Sequence, residues 1–248
     1  MNVTIVEIFG RAQQGATRPF LCRGDDDVLY YVKGRGAGLR SMCCEWVAGR
    51  LAEEMGLPIP RFEIAEVPAA LVAGSDREDI RELGAGRVFA SARVDGSTEI
   101  NWSEAENLPS GLMATVLLID WWVMNEDRSL SALGGNPNLL MGPGEGDARR
   151  LWVYDFNLAF DMQFSAERFW RNHLFSDLLS EWPLAFRAEM KSDMEAALTK
   201  LPEIYQAMPL EWLHLDGDVN EPVQLAQELV FETLSRAFTQ PDAFWNRK

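Results

Sequence analysis

The chain has 248 residues, with 38 acidic and 23 basic side chains and a formal net charge of −15 at pH 7. A surface of that sign argues against binding nucleic acid or an anionic membrane through the general electrostatic field. No apolar run approaches the ~20 residues of a membrane span, the first residues lack the basic start of a signal peptide, and the three cysteines fit neither a disulfide framework nor a metal site. The composition predicts a soluble cytoplasmic protein with no membrane span and no direct nucleic-acid binding.

The first 94 residues are mostly strand-forming. Alternation of apolar and polar residues, or enrichment in β-branched and aromatic residues, predicts strands over residues 3–9, 28–32, 61–67 and 87–94. Apolar residues at helical spacing predict one long helix, and a charged stretch predicts a second, short one. These helices cover residues 39–55 and 76–83.

From residue 110 onward the pattern is helical. Helices are predicted over residues 112–124, 185–198 and 223–238. Strands followed by helices are typical of an α+β protein rather than of alternating βαβ units. We therefore predict two lobes, an antiparallel-sheet lobe over residues 1–94 and a mainly helical lobe over residues 95–248.

Three polar residues, Asp127, Asn138 and Asp155, occur in an order that suits phosphoryl transfer. Such chemistry needs one carboxylate to orient and deprotonate the attacking hydroxyl, and an amide and a second carboxylate to hold Mg²⁺. Singly, each residue has an ordinary explanation, because Asp and Asn are frequent in turns and at strand ends. Together, with a strand between the second and the third, they predict a site for ATP and Mg²⁺.

A lysine, a glutamate and an arginine are further candidates for the same site. Lys33 ends a predicted strand and Glu45 lies on the following helix, an arrangement in which the carboxylate would hold the ammonium against nucleotide phosphates. Arg128, next to Asp127, would neutralise phosphate charge. The alternative for all three is a solvated surface side chain.

The stretch over residues 10–17 is turn-prone and contains Gly15 and Thr17. Backbone N–H groups of such a loop would cover phosphates, although the sequence matches neither a P-loop nor a kinase glycine-rich motif. A simple connection between strands explains it equally well.

Several segments of the chain resemble the HipA-like kinase family, which is distantly similar to type II phosphatidylinositol 4-kinases and to protein kinases. The resemblance covers roughly residues 3–160. It is carried by the following segments: Tyr31-Val32-Lys33, Gly56-Leu57-Pro58-Ile59-Pro60, Asn125-Glu126-Asp127-Arg128, Asn136-Pro137-Asn138-Leu139-Leu140 and Tyr154-Asp155-Phe156.

The resemblance implies a role for each matching position. Lys33 would contact phosphates with Glu45 as its partner, Asp127 would be the catalytic base, and Asn138 and Asp155 would bind the metal. The hinge that offers backbone groups to the adenine ring would be formed by Phe89, Ala90, Ser91, Ala92 and Arg93.

Two features depart from the kinase pattern. Asp127 and Asn138 are eleven positions apart, where kinases have about five, and the turn at Gly134-Gly135 would accommodate the longer connection. Asn157 stands where the metal-binding triplet of kinases has Gly. His173 and His214 are remote from the motif and are interpreted as structural.

Three functions remain open. The first is an ATP-dependent kinase acting on a protein Ser or Thr, the second a kinase acting on a lipid or small molecule, and the third a nucleotide-binding interaction module without activity. Intact Lys33, Asp127, Asn138 and Asp155 argue against the third. Exposed tryptophans among the nine, such as Trp102, Trp170 or Trp245, would mark a surface for a partner protein.

Overall fold

The computed structural model describes residues 3–12, 18–144, 146, 148–177, 182–214, 223 and 225–246. Its strands are β1 (Ile5–Arg11), β2 (Phe20–Gly24), β3 (Leu29–Lys33), β4 (Phe62–Val67), β5 (Gly86–Ala92), β6 (Thr98–Glu99), β7 (Ser129–Ser131), β8 (Gly134–Asn136), β9 (Leu139–Pro143) and β10 (Arg149–Val153). Its helices are α1 (Leu39–Glu54), α2 (Ala69–Ala73), α3 (Ile80–Leu83), α4 (Trp102–Glu106), α5 (Ser110–Trp122), α6 (Ala166–Asn172), α7 (Leu184–Thr199), α8 (Leu201–Ala207), α9 (Gln227–Thr239) and α10 (Pro241–Trp245).

The first five strands form one antiparallel sheet in the order β1-β2-β3-β5-β4. Strand β2, which the sequence did not predict, alternates in burial, with Phe20 and Cys22 facing inward and Leu21 and Arg23 partly exposed. A sheet followed by helices confirms the predicted α+β class.

Helix α1 connects the sheet to the C-terminal helices. On one side its Trp46 packs edge-on against Phe62 of β4, with ring centroids 5.6 Å apart. On the other side the indole N–H of Trp46 donates to the carbonyl of Ile204 in α8 over 2.9 Å. Because α1 is enclosed from both sides, Glu45 at its centre is buried at the junction of sheet and helices.

Two hydrophobic cores result from this arrangement. The smaller one lies between the sheet and α3, which contributes Ile80 and Leu83. The larger one extends from α1 and Phe89 of β5 through α5 to α9 and α10. In the described residues, no helix combines the length and apolarity that crossing a bilayer requires.

The three cysteines, Cys22, Cys43 and Cys44, are buried and unpaired. Burial raises the pKa of each thiol to about 12. They therefore act as small apolar core residues.

The tryptophans do not form an exposed surface. Trp245 is buried in the core, and Trp102 and Trp170 are half-buried. The expectation that one of these three is exposed was wrong; Trp170 packs against Trp121, and Trp245 packs against Trp182. The exposed aromatic side chains of the described part are instead Phe9, Tyr31 and Phe231.

Candidate active site

Lys33 and Glu45 form a buried ion pair. Lys33 is the last residue of β3, and its Nζ contacts Oε1 of Glu45 on α1, with side-chain exposures of 8% and 4%. The second carboxylate oxygen of Glu45 accepts the backbone N–H of Phe156 over 2.9 Å. The glutamate therefore ties the sheet lysine to the loop that follows β10.

Asp155 completes this group of charges. Its Oδ1 lies 2.8 Å from Nζ of Lys33, and its backbone has a left-handed φ of 62°. Only a few per cent of non-glycine residues adopt such a φ, and they concentrate at functional sites. We call Lys33, Glu45 and Asp155 the lysine cluster.

The lysine cluster contains one ammonium and two carboxylates. Burial alone would raise the pKa of Asp155, but the charge of Lys33 and the hydrogen bonds that Asp155 accepts hold it below its usual range. Burial raises the pKa of Glu45, against the opposing charge of Lys33. Burial disfavours the Lys33 ammonium, yet the two carboxylates raise its pKa, so the lysine stays charged.

Asp127 and Asn138 are joined by hydrogen bonds although eleven positions separate them. Nδ2 of Asn138 donates to the carbonyl of Asp127 over 3.0 Å and to its Oδ2 over 3.3 Å. Asn138 also has a left-handed φ, of 48°. Burial raises the pKa of Asp127, and the nearby charge of Asp155 acts in the same direction.

A β-hairpin accounts for the long separation. Strands β7 and β8 pair antiparallel with Ser129 opposite Asn136 and Ser131 opposite Gly134, so the chain leaves and returns at the same place. Gly134 has a φ of 109°, and a Cβ on Gly135 would lie 2.4 Å from the carbonyl oxygen of Ser129. The glycine pair is therefore required by the hairpin itself.

Arg128 is not available to a phosphate. Its side chain is fully buried, and its Nη1 donates to the carbonyls of Pro137, Asn138 and Tyr154 over 3.2, 2.5 and 3.3 Å. Because Arg128 is buried and bonded in this way, its predicted role as a catalytic group that neutralises phosphate charge was wrong. Arg128 instead positions the backbone next to both Asn138 and Asp155.

A second buried ion cluster, which was not predicted, surrounds Arg128. Oδ2 of Asp120, on α5, lies 2.6 Å from Nε of Arg128 and 3.0 Å from Nε2 of His173. Oδ1 of Asp120 accepts from Nδ2 of Asn125 over 2.8 Å. We call Asp120, Arg128 and His173 the arginine cluster. Burial alone would raise the pKa of Asp120, but Arg128 and His173 lower it to about 2.

The predicted hinge is also corrected. Residues Phe89 to Ala92 lie in β5, which pairs with β3 on one edge and β4 on the other. Ala90 stands opposite Val32 and Glu63, so the backbone groups of this stretch are taken up by the sheet. Backbone contacts to an adenine would have to come from the connection after β5.

The other two predicted nucleotide-binding residues, Gly15 and Thr17, lie outside the described residues.

The donor atoms at Asn138 and Asp155 suit Mg²⁺. Because Nδ2 of Asn138 points to Asp127, its amide oxygen remains for a cation. Within the described ranges no cluster of three or more His, Cys, Asp or Glu could hold a metal by itself. Two hard oxygen ligands fit Mg²⁺, which proteins usually bind through one or two such groups together with substrate phosphates and water. Oδ1 of Asn157 is buried with no hydrogen-bond partner among the described residues, which leaves a further oxygen two residues from Asp155.

Comparison with solved structures shows a kinase-like fold. The proinflammatory kinase CtkA of Helicobacter pylori is similar in structure with a TM-score of 0.57 and 11% sequence identity, over 97% of this chain and 95% of that one. None of the curated proteins compared with the chain matches it.

A family model described as HipA-like kinase matches residues 5–248. The chain therefore belongs to the HipA-like kinase family, as its motifs predicted. The match also includes the C-terminal third, in which the sequence showed no motif.

Proposed function

We propose that this protein transfers the γ-phosphate of Mg-ATP to the hydroxyl of a Ser or Thr in a protein substrate. The observation that carries the proposal is the meeting of the lysine cluster with Asp127 and Asn138. These residues come from β3, α1 and three separate loops. Family membership supports phosphoryl transfer, while ATP, Mg²⁺ and the protein acceptor are part of the proposal.

Lys33 would hold the nucleotide phosphates. An ammonium has three donors, and the contacts to Glu45 and Asp155 use two of them. The third is available to a phosphate oxygen. Glu45, fixed by the backbone of Phe156, keeps the flexible lysine in place.

Asn138 and Asp155 would hold Mg²⁺, which when bound would neutralise the charge of the nucleotide phosphates. The Asp155 carboxylate, whose pKa is held below its usual range, would supply negative charge to a divalent cation here. Asp155 is the most exposed member of the lysine cluster, at 18%, so it would be the member that meets the cation.

Asp127 would accept the proton of the attacking hydroxyl. Its raised pKa makes it a better base than an ordinary surface carboxylate. The bonds from Asn138 to its carbonyl and carboxylate orient the side chain relative to the metal ligand. The unpaired, buried cysteines support a reducing compartment such as the cytoplasm for this reaction.

The test is incubation of the purified protein with radiolabelled ATP, Mg²⁺ and a cell extract, followed by identification of the labelled species. Label on Ser or Thr of proteins, absent with Asp127→Asn protein, is the expected result. If only lipids or small metabolites are labelled, the acceptor is not a protein. If nothing is labelled although the protein binds nucleotide, the protein is a nucleotide-binding module without kinase activity.

A further inference from the structure

A groove of about 570 Å³ adjoins the proposed catalytic residues. One wall is formed by the β7–β8 hairpin and Pro137, and the other by Glu99 to Ser103 at the end of β6 and the start of α4. Pro137 directly precedes Asn138, and Nδ2 of Asn136 donates to the carbonyl of Asp127 over 3.3 Å. The groove therefore begins next to the proposed metal ligand, and Asn136, which lies between two lining residues, connects it to the proposed base.

The hairpin is larger than the connection between Asp127 and Asn138 requires, since kinases make this connection with about five positions. Leu133, at the tip of the hairpin, is fully exposed. The extra length of the hairpin forms one wall of the groove.

The chemistry of the groove disfavours an anionic ligand. Its side chains are mainly apolar, including Ile100, Trp102 and Leu130, and the one ionisable residue is Glu99. The described lining contains no Lys or Arg. Glu99 therefore favours a neutral or basic ligand over a phosphorylated head group.

Strand β8 also offers main-chain groups. Among the described strands its one neighbour is β7, whose Ser129 makes a further bridge to His173. In this register Gly134 and Asn136 face β7, so the outer edge of β8 carries the backbone N–H and C=O of Gly135 with no described strand beside them. Gly134 and Gly135 are exposed and have no side chain to keep another backbone away.

We propose that this groove holds the acceptor segment of the protein substrate as an extended strand along β8. The segment carries a basic side chain that faces Glu99 and presents its Ser or Thr hydroxyl to Asp127. This mode combines main-chain hydrogen bonds for affinity with side-chain pockets for selectivity. The inference rests on the proposed protein kinase activity and names the substrate that the same site takes.

The first experiment is phosphorylation of a degenerate Ser/Thr peptide library with radiolabelled ATP by wild-type and Glu99→Lys protein. Wild type is expected to prefer peptides with Arg or Lys at one fixed position. In the variant the ratio of phosphorylation of these peptides to that of neutral ones should fall about fivefold, which corresponds to the loss of one exposed ion pair. The matched control is Glu106→Lys, an exposed carboxylate of α4 that does not line the groove. An equal loss for all peptides, or a change confined to the KM for ATP, overturns the proposal.

The second experiment tests the strand. The best peptide is synthesised with single N-methyl groups at successive backbone positions, because each removes one main-chain donor. Because the C=O of Gly135 is the outward acceptor of β8, pairing predicts that kcat/KM falls at one position and not at its two neighbours. Uniform or patternless losses contradict strand addition.

The two proposals fail differently. If the protein phosphorylates itself or folded proteins on Ser or Thr while every peptide is inert, the groove proposal fails and the proposed kinase activity stands. Absence of any phosphoryl transfer or ATP hydrolysis by the wild-type protein removes both.

Discussion

The two buried ion clusters use similar residues for opposite purposes. In the arginine cluster Asp120 balances Arg128, and the side chains are at most 1% exposed. In the lysine cluster one ammonium serves two carboxylates, and Asp155 remains 18% exposed. A balanced, closed cluster holds structure, whereas an unbalanced, open one leaves charge for a ligand.

The two clusters are connected through the backbone. Arg128 donates to the carbonyls of Asn138 and Tyr154, which lie at or next to the proposed metal ligands. Both ligands have a left-handed φ. The closed cluster therefore stabilises the strained backbone on which the open cluster depends.

The largest expected effect comes from removing the proposed base. Asp127→Asn should lower kcat by roughly 10³-fold, a typical contribution of general base catalysis, and leave nucleotide affinity unchanged. Phosphate transfer and nucleotide binding are measured on the same preparation. Glu126→Gln is the matched control, because this neighbouring carboxylate pairs with Arg168 instead; retained transfer in Asp127→Asn removes the residue from its role.

Breaking the closed cluster should cost stability. Asp120→Asn leaves the Arg128 charge buried without its partner, which lowers the free energy of unfolding by about 3–5 kcal/mol. Urea unfolding measures the loss. For comparison, Glu104→Gln breaks the exposed pair with Arg149 and should cost less than about 1 kcal/mol; equal losses for the two variants would contradict the distinction between closed and exposed pairs.

Breaking the open cluster should cost ligand binding rather than stability. At a Mg-ATP concentration 100 times its dissociation constant, the wild-type protein gains about 2.7 kcal/mol and its melting temperature rises. Asp155→Asn should lose most of this rise. ATP with EDTA in place of Mg²⁺ is the control, and a full shift in the variant would show that Asp155 does not hold the metal.

The smallest expected effect is a loss of folding stability at acid pH. The pKa of Asp120 is about 2 in the folded protein, against 3.8 for the free side chain. Because the folded value is the lower one, the stabilisation is complete above about pH 4 and is lost as pH falls toward 2, by about 2 kcal/mol. The difference in unfolding free energy between wild type and Asp120→Asn, measured from pH 5 to pH 2, should shrink by that amount; a constant difference would contradict it.

Long periodic elements were predictable from the sequence. The helix predicted over residues 39–55 is α1 (Leu39–Glu54), and that over residues 185–198 is α7 (Leu184–Thr199). Strand β2 was missed because its five residues include Arg23 and Gly24, which weaken the strand signal. The last long helix begins at Gln227 rather than at residue 223.

For the site, the sequence identified residue types in the correct order but not their surroundings. It named Lys33, Glu45, Asp127, Asn138 and Asp155, which the structure brings together. It misjudged Arg128 because burial and the partner Asp120, eight positions earlier, are tertiary properties. The helical position of Asp120 within an apolar run was the available signal, since a carboxylate there must be paired.

Because Cys22, Cys43 and Cys44 are buried, a cysteine introduced at the surface can be labelled selectively. Thiols with so high a pKa react slowly with maleimides at neutral pH. A cysteine introduced in place of the fully exposed Leu133 would be the preferred target of such reagents. A fluorophore placed there would report whether the hairpin moves when a peptide arrives, without any change to the remaining thiols.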